Sequence, residues 1–477
     1  MGGETMRSRR TPDRAGEGVE SARPSRPGGP SQLLELFFAT CAELGVESDR
    51  DVAALAGVSV ENVANWRSGA VRELKPYKLA GVKRALAGRI AQLKDRASLM
   101  DSTVHLKLRP LEIEEGSSPA EQQRKLRDRV HYDYVGHQFL YAEAQGALAW
   151  ESIIRSGYEQ DSWLRGVRDQ ARLWFDSARD ARGGCRGPIA EALGLDSRRL
   201  RGLDVISLGP GEGSKECVLI EALHALEGSI GQPLPWQTMA LVDVSISLLV
   251  RAATSARKLV GEREDLPRTH VLAFCADFEE GPLGFVNRLP TERYDADAGR
   301  RLVCVLGNVF GNVRDEEHFL REKLARLVRP GDLLWLEVGL RADPLSSDPL
   351  YALLARTDRQ ETAAETNRRL LLEGPYRAWE SALGRSHARV EMRLTLREDD
   401  DASRIPGSCN FCHDLWLVEE RRALTMLYSR RYELAALTRW LEARGYQLLR
   451  QQSVADSKGR PRVAHLLLRR TSEPEKR

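Results

Sequence analysis

Apolar positions along this chain fall into two rhythms. Between residues 203 and 340, short and nearly continuous apolar runs, "LDVISL", "MALVDV", "HVLAFCADF", "RLVCVLGNV" and "DLLWLEVGL", alternate with stretches of helical spacing. A strand that is apolar on both faces is one covered on both faces, so the pattern predicts a mostly parallel sheet wrapped by helices, an α/β fold. From about Asp343 to Ile405 the rhythm breaks into a long helix, "ETAAETNRRLLLEGPYRAWESAL", and one strand, "ARVEMRLTL", which predicts an inserted subdomain. It resumes in "ALTMLYSRRY", the helix "ELAALTRWLEARGY" and a final strand, "VAHLLLRR".

The amino-terminal part reads differently. Residues 1–30 hold almost nothing apolar to bury and are expected to be a disordered tail. Residues 31–100 have helical spacing with Gly and Ser punctuation, which predicts a small all-helical module. Within it, Val52 to Gly69 reads as helix, turn, helix, with Ser59 capping a second helix that carries Val60, Val63 and Trp66. "LAGVSVENVANWRSG" resembles the helix-turn-helix of phage-repressor-type regulators. That resemblance implies that Glu61, Asn62, Asn65 and Arg67 lie near an exposed recognition face, making DNA a candidate partner through residues 50–70. Packing on the catalytic domain, or dimerisation, is the competing reading. The expected division is then a linker over 101–125, a substrate-binding subdomain over 126–160 and 343–418, and a cofactor-binding domain over 161–342 and 419–472.

Composition narrows the class. Lys plus Arg (72) nearly balances Asp plus Glu (69), so the net charge of +3 gives no global argument for a nucleic-acid partner. No apolar run has the length of a membrane span, no secretory signal is legible, and seven cysteines suit reduced thiols, so the expected setting is cytoplasmic with no membrane partner. "SCNFCHD" places Cys409, Cys412 and His413 at haem-attachment or half-zinc spacing. No second Cys pair accompanies it, so buried thiols and no metal are expected.

The candidate chemistry begins at "SLGPGEGSKE", residues 207–216, directly after the first strand. Glycines at a strand's carboxyl end let backbone approach a ligand, and the next helix offers free amide groups. A P-loop fails because Ser214 precedes Lys215, and the dinucleotide fingerprint is short by one residue at Gly213. Gly209, Gly211 and Gly213 fit the Gly-x-Gly-x-Gly loop of S-adenosyl-L-methionine (SAM) enzymes. Asp243 after the second strand can accept ribose hydroxyls, and Asp277 with Phe278 after the third can meet an adenine. Gly307, Asn308, Gly311 and Asn312 follow the fourth strand, at the sheet edge where open α/β folds bind ligands.

The run "LGPGEGSKE", "VDVS", "ADF", "LGNVFGN" and "LVRPGDLLWLEVGLRADP" resembles the histidine Nα-methyltransferase family of ergothioneine biosynthesis, over roughly Gly136 to Arg470. The resemblance implies a Rossmann-like class I methyltransferase fold with an inserted α+β substrate subdomain and SAM as cofactor. It implies that Gly209, Gly211 and Lys215 contact the cofactor, Asp243 its ribose, and Asp277 with Phe278 its adenine. Asn312 would hold the amino-acid end of the acceptor and Glu391 its imidazole, with Tyr141 and Tyr158 the nearest counterparts of the family's tyrosines. Arg356 and Arg393 stand where the family carries a tyrosine and a small hydroxyl residue. Two arginines for neutral donors imply a small-molecule or peptide amine other than free histidine. A regulator that senses a ligand is the alternative function.

Overall fold

The computed structural model describes residues 38, 41, 48–56, 58–68, 70, 111–142, 144–154, 163–175, 178–179, 185–194, 202–230, 237–262, 269–293, 299–354, 363–382, 389–398, 403–456 and 458–471. The strands are β1 (Glu112–Ile113), β2 (Ala178–Arg179), β3 (Cys185–Arg186), β4 (Gly202–Leu208), β5 (Gln237–Asp243), β6 (Thr269–Cys275), β7 (Gly299–Val305) and β8 (Leu333–Gly339). They continue with β9 (Val390–Glu398), β10 (Cys409–Leu417), β11 (Arg422–Arg431), β12 (Tyr446–Ala455) and β13 (Pro461–Arg470). The helices used below are α1 (Asp49–Ala56), α2 (Val60–Arg67), α3 (Pro119–Arg129), α4 (Gln138–Ala142), α5 (Ala144–Ile153), α6 (Trp163–Phe175), α7 (Ser214–Ile230), α8 (Ile246–Glu262), α9 (Val309–Asn312), α10 (Ala363–Ala382) and α11 (Leu434–Glu442).

The eight-stranded sheet has the order β1-β6-β5-β4-β7-β8-β13-β12. Its pairs from β1 to β8 are parallel, while β13 runs antiparallel to β8 and to the edge strand β12. This is the expected mostly parallel α/β sheet. All seven residues of β4, β5 and β8 are buried. Alternation divides them between two cores: Leu203, Val205 and Leu241 pack with α6, α7 and α8, while Ile206, Leu208 and Val242 pack with Phe285, Phe310, Phe319 and α11. The parallel arrangement brings every loop after β4, β5, β6 and β7 to one edge, which is where the site forms.

A second sheet has the order β11-β10-β9 and is antiparallel throughout. One face packs Leu415, Leu417, Leu424 and Met426 against Leu371, Leu372, Tyr376 and Trp379 of α10 and against Phe139 and Leu140 of α4. The other face bears Glu391, Arg393, Thr395, Cys412, Asp414 and Trp416, which sit opposite one another across β9 and β10. Tyr134 stacks on Tyr428 of this sheet with ring centroids 4.8 Å apart.

Two expectations change here. The segment at 423–432 pairs along its length with β10 in the small sheet and reaches the large sheet only at Tyr432, whose N–H donates to Gly339 O at 3.0 Å. The segment expected as a linker, 101–125, contains β1, which pairs in parallel with β6, and the start of α3, capped by Ser118 and Glu121 in a reciprocal capping box. "CNFCHDLWL" is a central strand. Cys409 packs with Phe411 and Leu350, and Cys412 packs with Tyr134 and Tyr428, so alternation separates the two thiols across the sheet. Among the described residues no group of three or more His, Cys, Asp or Glu is placed to hold a metal ion.

In the amino-terminal part Ser59 Oγ accepts from Asn62 N–H at 3.3 Å at the start of α2, and Val63 and Trp66 are fully buried. Val60 is half exposed. Arg67 pairs with Asp49 at 2.6 Å and lies over the Phe38 ring. The tail and the rest of the module lie outside the described residues. No helix among them is long and apolar enough to cross a membrane.

Candidate active site

At the carboxyl edge of the large sheet lies an open pocket lined by the loops after β4, β5, β6 and β7. Its floor is the loop after β4. Gly209, Gly211 and Gly213 all have φ between 61° and 90°, the left-handed region that side chains resist. Gly209 N–H donates to Val242 O at 2.9 Å, which fixes the loop's departure from the sheet. The loop feeds directly into α7, whose first turn carries Lys215 at the pocket wall.

The three glycines differ in duty. A Cβ on Gly211 would meet only the Trp150 ring, at 3.7 Å, so this glycine leaves backbone open to the pocket. A Cβ on Gly213 would stand 2.7 Å from the Ala252 backbone of α8. Gly213 therefore serves helix packing; it does not line the pocket, contrary to its expected cofactor contact.

Asp243 ends β5 inside the pocket, where Ser245 N–H donates to its Oδ1 at 2.8 Å. Burial pushes its carboxyl up to about 7, against the lowering effect of amides from Ser245, Gly211 and Val244. Asp277 is also a cap: its Oδ1 accepts from Glu279 and Glu280 amides at 3.2 and 3.0 Å, and Lys125 pairs with Oδ2 at 3.4 Å. Phe278 lies beside Gly209 on the pocket wall. An acid at the end of each of two adjacent strands and a ring between them suit a nucleoside: hydroxyls and an amino group to be accepted, and a flat base to be stacked.

The loop after β7 supplies the opposite wall. Gly307 N–H donates to Glu337 Oε2 at 2.5 Å, and Asn308 adopts φ 62° with its Oδ1 accepting from Gly339 N–H at 2.8 Å. Asn308 Nδ2 donates to Asn312 Oδ1 at 3.2 Å, which orients the Asn312 amide at the pocket. Arg430 of β11 clamps the following turn, donating to Val313 O and to Arg314 O, and pairs with Glu316 at 3.2 Å in full burial. The small sheet is thereby fixed to the loop that carries Asn312.

Of the expected residues, Tyr141, Gly209, Gly211, Lys215, Asp243, Asp277, Phe278, Gly307 and Asn312 line this pocket together. Glu391 and Arg393 do not. They stand on β9, about 41% and 45% exposed, where Glu391 pairs with Arg389 and Arg393 at 3.1 and 3.2 Å and Arg393 lies 4.2 Å over Trp416. Arg356 and Tyr158 lie outside the described residues.

Sequence reasoning missed His137, Gln138, Trp150 and Glu279, all of which line the pocket. Trp150 meets Tyr141 edge-on at 5.6 Å. Glu279 Oε1 accepts from Arg314 N–H at 2.6 Å, and its Oε2 faces His137 Nδ1 at 3.3 Å. Burial raises the Glu279 carboxyl to about 8 and lowers the His137 imidazole to about 4. The only local signal was position, Glu279 two residues past Asp277 and His137 just after a glycine.

The profile of a family described as histidine-specific, SAM-dependent methyltransferase matches residues 188–466. No curated protein matches the chain. Among solved structures, the CcbJ methyltransferase from Streptomyces caelestis is 14% identical over 60% of this chain and 88% of its own, with a TM-score of 0.27. The glycopeptide N-methyltransferase MtfA, complexed with SAM, is 14% identical over 59% of this chain and 87% of its own, with a TM-score of 0.26. The 1,6-didemethyltoxoflavin-N1-methyltransferase of Burkholderia thailandensis is 13% identical over 68% of this chain and 89% of its own, with a TM-score of 0.27. At such scores the fold assignment rests on the sheet itself.

Proposed function

The chain belongs to the histidine-specific, SAM-dependent methyltransferase family and is a SAM-dependent methyltransferase; on that premise we propose that it methylates the nitrogen of an amino acid or of another amine-bearing acceptor, free histidine excepted. The observation that carries the reading is the convergence of Gly209, Gly211, Lys215, Asp243, Asp277, Phe278, Gly307 and Asn312 on one pocket. SAM bound there supplies a methyl group already activated by its sulfonium, so the chain's own work is to bind, align and exclude water. Gly209, Gly211 and Lys215 hold the cofactor's amino-acid end, Asp243 takes the ribose hydroxyls, and Asp277 with Phe278 takes the adenine. Asn312, oriented by Asn308, holds the acceptor, with Tyr141 beside it.

The acceptor reading rests on β9. A carboxylate that grips an imidazole must be available to it, whereas Glu391 already has Arg389 and Arg393 within 3.1 and 3.2 Å. Arg389 and Arg393 outnumber the one carboxylate they share, so this face of β9 keeps an excess positive charge that suits an anionic acceptor. The acceptor surface is then drawn from the described residues of 126–160 and 343–418 together with β11. The α1–α2 pair is read as a helix-turn-helix-like module in front of the enzyme. No observation favours DNA sensing as the chain's function, and Arg67, a candidate DNA contact, is drawn onto Asp49.

The test is incubation with methyl-labelled SAM and a panel of free amino acids, their amides, short peptides and cell extract, read by mass spectrometry. The reading expects label on a nitrogen of an acceptor carrying an extra anionic group. Exclusive transfer to oxygen, or to free histidine alone, overturns it.

A further inference from the structure

The pocket contains a titratable pair that cofactor binding does not account for. Glu279 and His137 are both more than nine-tenths buried, and both line the pocket. Glu279 Oε2 and His137 Nδ1 face each other at 3.3 Å without meeting hydrogen-bond geometry. The other Glu279 oxygen is fixed by Arg314 N–H, in the turn just after Asn312. A carboxyl group anchored by one oxygen, with its second oxygen buried, unbonded and aimed beside an imidazole, is costly to keep unless a ligand or a proton uses it.

We propose that Glu279, backed by His137, is the proton acceptor for the acceptor nitrogen. An amine reaches the pocket as an ammonium ion, which has no lone pair to form a bond with. One N–H bond breaks and an O–H bond forms at Glu279 Oε2. The electron pair of the broken bond stays on nitrogen, and the carboxylate becomes a neutral acid whose new O–H points at His137 Nδ1. The surroundings suit that exchange. Asp277 and Glu280 raise the proton affinity of Glu279 beyond what burial does, while Arg430 and the Arg314 amide restrain it. His137 stays neutral through burial, so it receives a hydrogen bond rather than competing for the proton. Tyr134, stacked on Tyr428 beside this pair, itself stays protonated through burial. The inference rests on the methyltransferase reading of the pocket.

The test uses two probes whose binding needs no acceptor: S-adenosylhomocysteine, and sinefungin, the adenosyl analogue with an ammonium group where SAM carries its sulfonium methyl. Calorimetry from pH 6 to 9 is expected to show wild-type preference for sinefungin over S-adenosylhomocysteine growing with pH, as Glu279 ionises. Glu279→Gln is expected to lower that preference about tenfold at the alkaline end and to flatten its pH dependence, leaving S-adenosylhomocysteine affinity in place. A second measurement needs no variant: the infrared difference between the two wild-type complexes is expected to show a buried protonated carboxyl band lost with sinefungin. An unchanged preference in Glu279→Gln, an equal loss of both probes, or an unchanged carboxyl band overturns the inference. Failure of S-adenosylhomocysteine to bind the wild type instead overturns the cofactor reading, and this inference with it.

Discussion

Asn308 donates its side-chain amide to Asn312 at 3.2 Å from a backbone held at φ 62°. The same side chain accepts from Gly339 N–H, so one residue ties β8 to the amide that faces the pocket. Asn308→Ala leaves that Gly339 donor unpaired in the core, strains a left-handed turn and releases Asn312. Denaturant unfolding is expected to show a loss of about 1–3 kcal/mol, with turnover falling further than the folded fraction explains.

The loop glycines separate binding from folding. Gly211→Ala keeps space around its new methyl group but resists the φ of 61°, so calorimetry is expected to show weakened SAM binding by a protein that still folds. Gly213→Ala drives a Cβ to within 2.7 Å of the Ala252 backbone. Its expected outcome is a large fall in soluble protein or Tm.

The Asp243 carboxyl sits at about 7, so it is mostly neutral at pH 6 and mostly ionised at pH 8. If ribose hydroxyls need its charged form, cofactor affinity is expected to tighten about tenfold over that interval, and Asp243→Asn is expected to bind weakly with no pH dependence. Stability of the unliganded protein moves the other way. A carboxyl whose folded value is raised gives stability fully present below its ordinary range and lost as pH rises through the folded value. Asp243 and Glu216, both raised to about 7, and Glu279, raised to about 8, therefore favour folding at mildly acidic pH. Thermal melts of the wild type against Glu279→Gln between pH 6 and 9 are expected to diverge at the alkaline end.

Arg393 and Glu391 form a half-exposed pair, which contributes little to stability. Arg393→Ala is expected to leave Tm nearly unchanged while raising KM for anionic acceptors, with Glu391 still paired to Arg389. Acceptor competition by mass spectrometry reads that shift.

How much of this was legible varies by element. The strands β4 to β8 were plain because strands buried on both faces write their burial into an unbroken apolar run, and each site acid lay one step past such a run. The small sheet was obscure for the opposite reason. β10 carries Asn410, Cys412, His413 and Asp414 in full burial, so its polar letters read as a metal motif rather than a core strand. β11 had the right strand character but no local mark of its partner, because pairing with β10 or with the large sheet is decided by packing against α10. Glu279 and His137 lie far apart in sequence, and neither occupies a motif position. Only the fold brings Oε2 to Nδ1.

On the proposed reading the pocket at the sheet edge seats the cofactor, and no residue of β9 lines it. Calorimetric titration of S-adenosylhomocysteine into the wild type, Asp243→Asn and Glu391→Gln tests it most directly. The account predicts one-to-one binding by the wild type, loss of most affinity in Asp243→Asn, and wild-type affinity in Glu391→Gln. Equal binding by wild type and Asp243→Asn, or a loss in Glu391→Gln as large as in Asp243→Asn, would contradict it.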